Sequence, residues 1–225
     1  MKKFLFIKIL LLNLLFSGCL SNSNENNTGT IPLQKLSSEE TGIDFSNTII
    51  PNLETKENLF DYDYFYNGSG VGIADLNNDG LKDVFFTSNQ SPNKLYLNKG
   101  ELRFEDISDK SNVNQNKGWS SGVTFADVNN DGWLDIYISQ GGPFNPIKRK
   151  NTLLINNKNL TFTENASLYG LDDQGISTQS AFFDFDKDGD LDCVVMNENE
   201  FYGYDPLTFF KNFENKSLLR RNSSQ

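Results

Sequence analysis

Three short stretches of this sequence place oxygen-bearing side chains at the same alternating positions. Each stretch reads Asp-x-Asn/Asp-x-Asp-Gly-x-x-Asp, and the stretches span residues 75–83, 127–135 and 184–192. Alternate side chains in a tight loop can turn their oxygens toward one point, and the glycine permits the sharp turn. The side chains that could act together in this way are Asp75, Asn77, Asp79 and Asp83, then Asp127, Asn129, Asp131 and Asp135, then Asp184, Asp186, Asp188 and Asp192.

Calcium is the ion that this arrangement fits best. Ca²⁺ takes about 6–8 oxygen ligands, whereas Mg²⁺ prefers fewer protein ligands and a stricter octahedral geometry. The backbone carbonyls of Leu81, Trp133 and Asp190 would each add one ligand. The pattern therefore predicts about three Ca²⁺ ions. Metal-free turns are the alternative because Asn and Asp favour turns in any case, but carboxylates packed together without a cation repel one another.

An EF-hand begins with a similar pattern but requires a bidentate Glu at position 12 and helices on both sides. Position 12 is occupied here by Phe86, Ile138 and Val195. The flanking residues are β-branched and aromatic, which is typical of strands. The loops are therefore predicted to join β-strands.

The loops belong to a longer internal repeat. Their first aspartates, Asp75, Asp127 and Asp184, lie 52 and 57 residues apart, close to the period of roughly 40–50 residues of a propeller blade. After the first two loops comes a second strand–turn–strand pattern, which begins at residues 93 and 151. One repeat is thus two hairpins, and the sequence predicts an all-β fold, a partial β-propeller of about three four-stranded blades over residues 41–225.

The third repeat has no clear second hairpin, because the chain continues through an aromatic stretch from Phe201 to Phe213 and becomes polar and basic. A propeller usually needs about four to eight blades to close. We expect either that the sequence is a piece of a longer protein or that it assembles with another chain.

On these residues the chain resembles FG-GAP or VCBS repeats, as found in integrin α-chain propellers. The segments 64–71, 93–98 and 182–184 are similar to bacterial lipoproteins that combine FG-GAP-like repeats with a C-terminal ASPIC/UnbV module. The resemblance covers roughly residues 41–212. It implies calcium in loops that join strands within a blade, and it implies that this chain is an N-terminal portion.

The N-terminus has the pattern of an export signal. Lys2 and Lys3 precede an apolar run that ends in Phe16-Ser17-Gly18-Cys19, which resembles a lipobox; the alternative is an ordinary signal peptide with a chance cysteine. We predict a signal peptide over residues 1–18, lipidation of Cys19, and a flexible tether over residues 19–40. The mature protein is then expected at the bacterial cell envelope, anchored to a membrane through lipid, at the outer membrane or cell surface.

Composition excludes several classes of function. The chain has a net charge of −10, so nucleic-acid binding is not expected. It contains no histidine, which excludes Ser-His-Asp triads and His-ligated zinc within the chain. Cys193 lies in an apolar strand-like run and is predicted to be a buried structural thiol.

No catalytic residues are predicted, and we expect a binding, adhesion or scaffold module whose partner is an envelope protein or glycan. An N-terminal part of a polysaccharide-active enzyme is the alternative, and an inactive truncated fragment is a third possibility. The spare acids that an enzyme could use are Glu101, Glu105, Asp106, Asp172 and Asp173. The aromatic residues that could stack on a sugar, but are predicted mainly to pack between strands, are Phe60, Tyr62, Tyr64, Phe65, Tyr66, Phe201, Tyr202, Tyr204, Phe209 and Phe210.

Overall fold

The computed structural model describes residues 33–114, 118–142 and 149–198. The predicted signal peptide, Cys19, most of the predicted tether and the aromatic stretch 201–213 lie outside these residues. The strands are β1 (Val71–Ala74), β2 (Asp83–Phe86), β3 (Lys94–Asn98), β4 (Phe104–Asp106), β5 (Trp119–Ala126), β6 (Asp135–Gly141), β7 (Thr152–Asn156), β8 (Phe162–Glu164), β9 (Ser177–Phe183) and β10 (Asp192–Asn197). The helices are α1 (Ser38–Thr41), α2 (Ser108–Ser111) and α3 (Ala166–Tyr169).

The strands form three antiparallel sheets in which each strand pairs with the next one along the chain. The described residues give orders β1-β2-β3-β4, β5-β6-β7-β8 and β9-β10. Two repeats thus have the four strands that the sequence predicts, and the described part of the third has its first hairpin. This mostly β architecture is consistent with partial propeller blades.

The first strands of the three repeats lie side by side, and small residues make this approach possible. Thr87 donates its hydroxyl to the Ser121 carbonyl at 2.5 Å, and Ser121 donates its hydroxyl to the Ser177 carbonyl at 2.6 Å. A Cβ on Gly70 would lie 2.6 Å from the Ser121 carbonyl oxygen, and one on Gly122 would lie 2.5 Å from that of Thr178. The glycines that open β1 and lie within β5 therefore allow close packing of neighbouring sheets.

Two of the three apolar clusters among the described residues fill the spaces between the sheets, and the third packs Tyr62 and Phe65 against Trp119 and Ile176. The first joins β1–β4 to β5–β8 through residues that include Leu76, Phe85 and Ile136. The second joins β5–β8 to the β9–β10 hairpin and includes Tyr137 and Cys193. Cys193 is 5% exposed, which confirms that it is a buried thiol.

The short helices were not predicted by the sequence. α2 and α3 each follow the last strand of a four-stranded sheet, and each ends at a left-handed residue, Asn112 or Gly170. α1 has a capping box formed by Ser37 and Glu40, so the last residues of the predicted tether contain a capped helical turn. One turn is too short to show helical periodicity in a sequence.

Among the described residues, no helix is long and apolar enough to cross a membrane.

Candidate metal centre

Each predicted metal loop joins the first strand of a sheet to the second. The loop at residues 75–83 follows β1 and ends at the first residue of β2, and the other two stand in the same way between β5 and β6 and between β9 and β10. The antiparallel pairing fixes both ends of each loop, since Ala74 pairs with Asp83 and Ala126 with Asp135. The strands therefore hold the first and last aspartates of a loop close together.

The loop backbone wraps around the first aspartate. In the first loop, Asp79 and Gly80 donate their N–H groups to the two carboxylate oxygens of Asp75, at 3.2 and 2.9 Å. Leu81 donates its N–H to Asp79 Oδ1 at 2.8 Å. Asn77 Oδ1 also accepts from the Asp79 N–H at 3.2 Å.

The same bonds recur in the other two loops. Gly132 donates to Asp127 at 2.7 Å, and Gly189 donates to Asp184 at 3.1 Å. Trp133 donates to Asp131 at 3.0 Å, and Asp190 donates to Asp188 at 3.1 Å. The sequence repeat is therefore a geometric repeat at the level of single hydrogen bonds.

Two residues in each loop have positive φ. The glycines Gly80, Gly132 and Gly189 have φ between 85° and 93°, which favours a residue without Cβ. The fourth loop residue is also left-handed, and Asn78 and Asn130 suit this conformation because asparagine tolerates it better than most residues. Lys187 holds this position in the third loop with φ 61°.

The third loop brings three carboxylates together at the surface. Asp184, Asp186 and Asp188 each offer an oxygen, and these oxygens lie within 4.8 Å of one another. All three residues are exposed, and such a group could hold a metal ion. In the first and second loops, Asn77 and Asn129 occupy the middle position, so a neutral carboxamide oxygen replaces one carboxylate there.

The last aspartate of the first two loops has a second role that the sequence did not indicate. Asp83 is 1% exposed and accepts the N–H of Leu76 at 3.0 Å and the N–H of Asn98 at 2.9 Å. Asp135 is likewise 1% exposed and accepts the N–H groups of Val128 and Asn156, at 3.0 and 2.8 Å. These carboxylates therefore tie the metal loop to the second hairpin of the same sheet.

Burial raises the pKa of both buried carboxyls. The pKa of Asp135 rises to about 6, because burial outweighs the hydrogen bonds from Asn156 and Val128, and the charges of Asp131 and Asp127 add to the effect. Burial likewise raises the pKa of Asp83, with Asp79 and Asp75 adding to the increase. A cation among these groups would favour the ionised carboxylates.

Backbone hydrogen bonds also stabilise the exposed acids. The N–H of Leu81 lowers the pKa of Asp79, followed by the Asn77 carboxamide. Lys158 lies with its Nζ 3.3 Å from Asp131 Oδ2, so an ion in the second loop would compete with this ammonium group. Repulsion between carboxylates is thus partly offset by the protein itself, and repulsion alone does not require a metal.

Of the predicted ligands, the structure brings Asp184, Asp186 and Asp188 together. Asp83 and Asp135 are instead buried against backbone N–H groups. Leu81, Trp133 and Asp190 lie at the predicted positions, and ligation through their carbonyls stays a prediction. Two asparagines were missed, Asn98 and Asn156, which complete the hydrogen-bonding of the last aspartates. The sequence does repeat these asparagines. Asn98 lies five residues after Asn93, and Asn156 lies five residues after Asn151, at the same place in the repeat.

The earlier asparagine of each pair also binds backbone. Asn93 accepts the N–H of Ser88 at 2.8 Å, and Asn151 accepts that of Gln140 at 2.7 Å. Both asparagines are buried. They hold the chain at the end of the second strand of each sheet.

Four of the five spare acids of the enzyme hypothesis, all except Glu101, have structural partners among the described residues. Lys150 Nζ lies 2.7 Å from Asp172, and although burial acts to raise the pKa of Asp172, the hydrogen bonds from Lys150 and Ser167 lower it. Asp106 is paired with Lys94 at 2.6 Å, and Glu105 lies 3.2 Å from Lys110. Asp173 accepts from Gly175 N–H and from the Asn197 side chain.

A cleft of about 290 Å³ lies beside the start of β5 and is lined by Tyr62, Tyr64, Trp119 and Glu198, together with small and polar residues. Tyr62 donates its hydroxyl to Glu198 Oε1 at 3.3 Å. Glu198 Oε2 is buried and has no hydrogen-bond partner among the residues that the structure describes. Burial raises the pKa of Glu198. Of the predicted aromatic group, Tyr62 and Phe65 are buried, whereas Phe60, Tyr64 and Tyr66 are exposed.

Comparison with known proteins agrees with the repeat. Residues 75–138 match the family model described as "FG-GAP-like repeat". The chain is similar to cartilage acidic protein 1 of Xenopus tropicalis, with 27% identity over 183 residues that cover 81% of this chain and 27% of that protein. It is also similar to human cartilage acidic protein 1, with 32% identity over 77 residues, 34% of this chain and 12% of that protein. The chain thus spans about a quarter of the length of the frog relative, and its match to the human relative covers 12% of that protein.

Proposed function

Because this chain carries FG-GAP-like repeats, we propose that it is a calcium-binding repeat module of the cell envelope, with about three Ca²⁺ ions in the loops 75–83, 127–135 and 184–192. The observation that carries the proposal is the repetition of one loop geometry, in which the same carboxylates accept the same backbone N–H groups. In the third loop the three exposed carboxylates within 4.8 Å of one another supply the acidic oxygens that Ca²⁺ prefers.

Calcium would act on the structure rather than in a reaction. It would neutralise the exposed acids of each loop and hold the turn between the first two strands of a sheet. Four of the five spare acids bind lysines or backbone groups, which supports a module without catalysis. In this proposal the lipidated Cys19 anchors the module at the envelope, and its partner is an envelope protein or a glycan.

Isothermal titration of the calcium-free protein with Ca²⁺ tests the proposal. We expect binding at about three sites, with Mg²⁺ a weak competitor. Asp188→Ala should remove one site, because Asp188 supplies one of the clustered oxygens and also accepts the Asp190 N–H. Glu101→Ala is the matched control, since Glu101 is an exposed acid outside the loops. A calorimetric trace without heat at millimolar Ca²⁺ would refute the proposal.

The cleft beside β5 is the surface that we propose for a partner. Its aromatic walls and the buried, unpaired oxygen of Glu198 suit a group that donates a hydrogen bond from an otherwise apolar face, as a sugar hydroxyl does. A glycan array with the wild-type protein and with Glu198→Gln and Tyr64→Ala is the test. Signals that both substitutions leave unchanged would exclude this cleft.

A further inference from the structure

The first two repeats are joined at their predicted metal loops by two hydrogen bonds that run in opposite directions, one from Asn156 at the end of β7 and one from Asn78 in the first loop. The Asn156 side chain donates from Nδ2 to the Leu76 carbonyl of the first loop at 2.8 Å. The Asn78 side chain of the first loop donates from Nδ2 to the Gly132 carbonyl of the second loop at 3.0 Å. Each repeat thus holds part of the loop backbone of the other.

Asn156 connects the two buried aspartates through a continuous path. Its backbone N–H donates to Asp135 at 2.8 Å, and its side chain reaches Leu76, whose own N–H donates to Asp83 at 3.0 Å. These four residues are each 1% or 2% exposed. Loss of one hydrogen bond in this path would lower the stability of the fold, because a buried donor or acceptor without a partner costs free energy.

The first sheet provides an internal comparison. Asn98 occupies the position in the first sheet that Asn156 occupies in the second. Its backbone N–H donates to Asp83 and its Nδ2 donates to the Lys82 carbonyl at 2.9 Å. Its Oδ1 accepts the N–H of Gly100. Asn156 likewise bonds the Leu134 carbonyl at 3.1 Å and the Lys158 N–H. The bond to Leu76 is the addition that links two repeats.

From these contacts we infer that Asn156 and Asn78 are positioning residues that couple the first two metal loops, so that an ion in one loop raises the affinity of the other. The inference rests on the proposed function, since it requires that both loops bind calcium. An ion that orders the second loop fixes Asp135 and Gly132, and through Asn156 and Asn78 it fixes the Leu76 and Asn78 backbone of the first loop. The ordering cost of the second binding event is then smaller.

The coupling can be measured at each site separately. The amide N–H groups of Gly80 and Gly132 donate to the first aspartates of their own loops, so their NMR resonances report calcium at each loop. Asp131→Ala empties or weakens the second loop. We expect Asp131→Ala to raise the dissociation constant for calcium in the first loop, followed through the Gly80 resonance, by about fivefold or more, which is the lower end of the range for coupled sites.

The asparagine variants test the route. In the Asn78→Gly and Asn156→Ala backgrounds, Asp131→Ala should change the affinity at Gly80 by much less than in the wild type. Asn78 is exposed with φ 56°, and glycine accepts this left-handed conformation, so Asn78→Gly removes the side-chain bond and is expected to fold normally even where Asn156→Ala does not. Asn98→Ala is the control: it removes the matching side-chain bonds within the first repeat and should alter the affinity at Gly80 while it leaves the effect of Asp131→Ala in place.

The outcomes separate the two proposals. If calcium shifts both glycine resonances and Asp131→Ala leaves the affinity at Gly80 unchanged, the coupling is refuted and the calcium module stands. If calcium shifts neither resonance, both proposals fail. If the loss of calcium affinity at the first loop persists unchanged in the Asn78→Gly and Asn156→Ala proteins, these asparagines are refuted as the route.

Discussion

Two aspartates in the second loop differ sharply in their surroundings. Asp131 is partly exposed and bonds the Trp133 N–H and Lys158, whereas Asp135 is buried and accepts two backbone N–H groups. We expect Asp131→Ala to weaken calcium binding with little effect on the calcium-free fold. Asp135→Ala should lower the free energy of unfolding by about 1–3 kcal/mol even without calcium, because the N–H groups of Val128 and Asn156 lose their acceptor.

Urea denaturation of both variants in EDTA measures this difference. Calcium titration of the same proteins gives the effect on the site. Equal losses of calcium-free stability in the two variants would show that the aspartates do not have the separate roles that their contacts indicate.

The thiol of Cys193 offers a second residue-scale prediction. Burial raises its pKa to about 12, so the thiolate that reacts with disulfide reagents is scarce at neutral pH. In a Cys19→Ser protein, in which Cys193 is the remaining cysteine, we expect the thiol to react slowly in the native state and at the rate of a free thiol in urea. Reaction with Ellman's reagent measures both rates, and fast modification of the native protein would contradict the buried position.

At the scale of single residues, the repeated spacing predicted the loop positions at which the same hydrogen bonds recur, and it included the three carboxylates of the third loop that lie within 4.8 Å of one another. It was not enough to separate the exposed acids from the buried last aspartate. That distinction depends on Asn98 and Asn156, which stand 15 and 21 residues after Asp83 and Asp135 and reach them only through strand pairing. A local pattern contains no information about partners that the tertiary fold supplies.

At the scale of elements, close packing between neighbouring sheets depends on glycine. A Cβ on Gly122 would lie 2.5 Å from the Thr178 carbonyl oxygen and against the Gln179 side chain. We expect Gly122→Ala to destabilise the protein by about 1–3 kcal/mol, the usual cost of overpacking, since a backbone carbonyl cannot move aside as a side chain can. Thermal or urea unfolding measures the loss.

The control for this element is Gln179→Ala, which shortens the neighbouring exposed side chain without adding an atom at the contact. It should leave stability nearly unchanged. If Gly122→Ala in the Gln179→Ala protein recovered full stability, the contact with the Thr178 backbone would not be the cause.

Strands and helices differ in how well the sequence predicted them. The two hairpins of the first and second repeats were predicted because β-branched and aromatic residues flank Asn/Gly turns, and the two four-stranded sheets confirm them. The one-turn helices α2 and α3 were missed, because four residues show no period and their ends are set by left-handed Asn112 and Gly170. The helical turn α1 is stabilised by a capping box that the sequence contains but that polar composition obscured.

At the scale of the molecule, the sequence predicted the order of repeats and the all-β class, while the contacts between repeats required coordinates. The hydrogen bonds from Thr124 to the Ser180 carbonyl at 2.8 Å and from Ser121 to the Ser177 carbonyl join strands that are more than fifty residues apart. Such contacts depend on how one sheet twists against the next. Threonine and serine occur in many strands, so their presence at these positions did not predict a hydrogen bond to the neighbouring sheet.

Calcium removal tests the role of all three loops in the whole molecule. A ligand that binds only the native state adds about 2.7 kcal/mol per site at a hundredfold excess over its dissociation constant. We therefore expect EDTA to lower the melting temperature substantially and calcium to restore it, with a larger shift at higher free Ca²⁺. Differential scanning calorimetry in EDTA, in EDTA with excess Mg²⁺ and in Ca²⁺ separates chelation from ionic strength. Because the loops lie between the first two strands of every sheet, the loss should appear in the main unfolding transition, and a melt that EDTA leaves unchanged would contradict structural calcium in this protein.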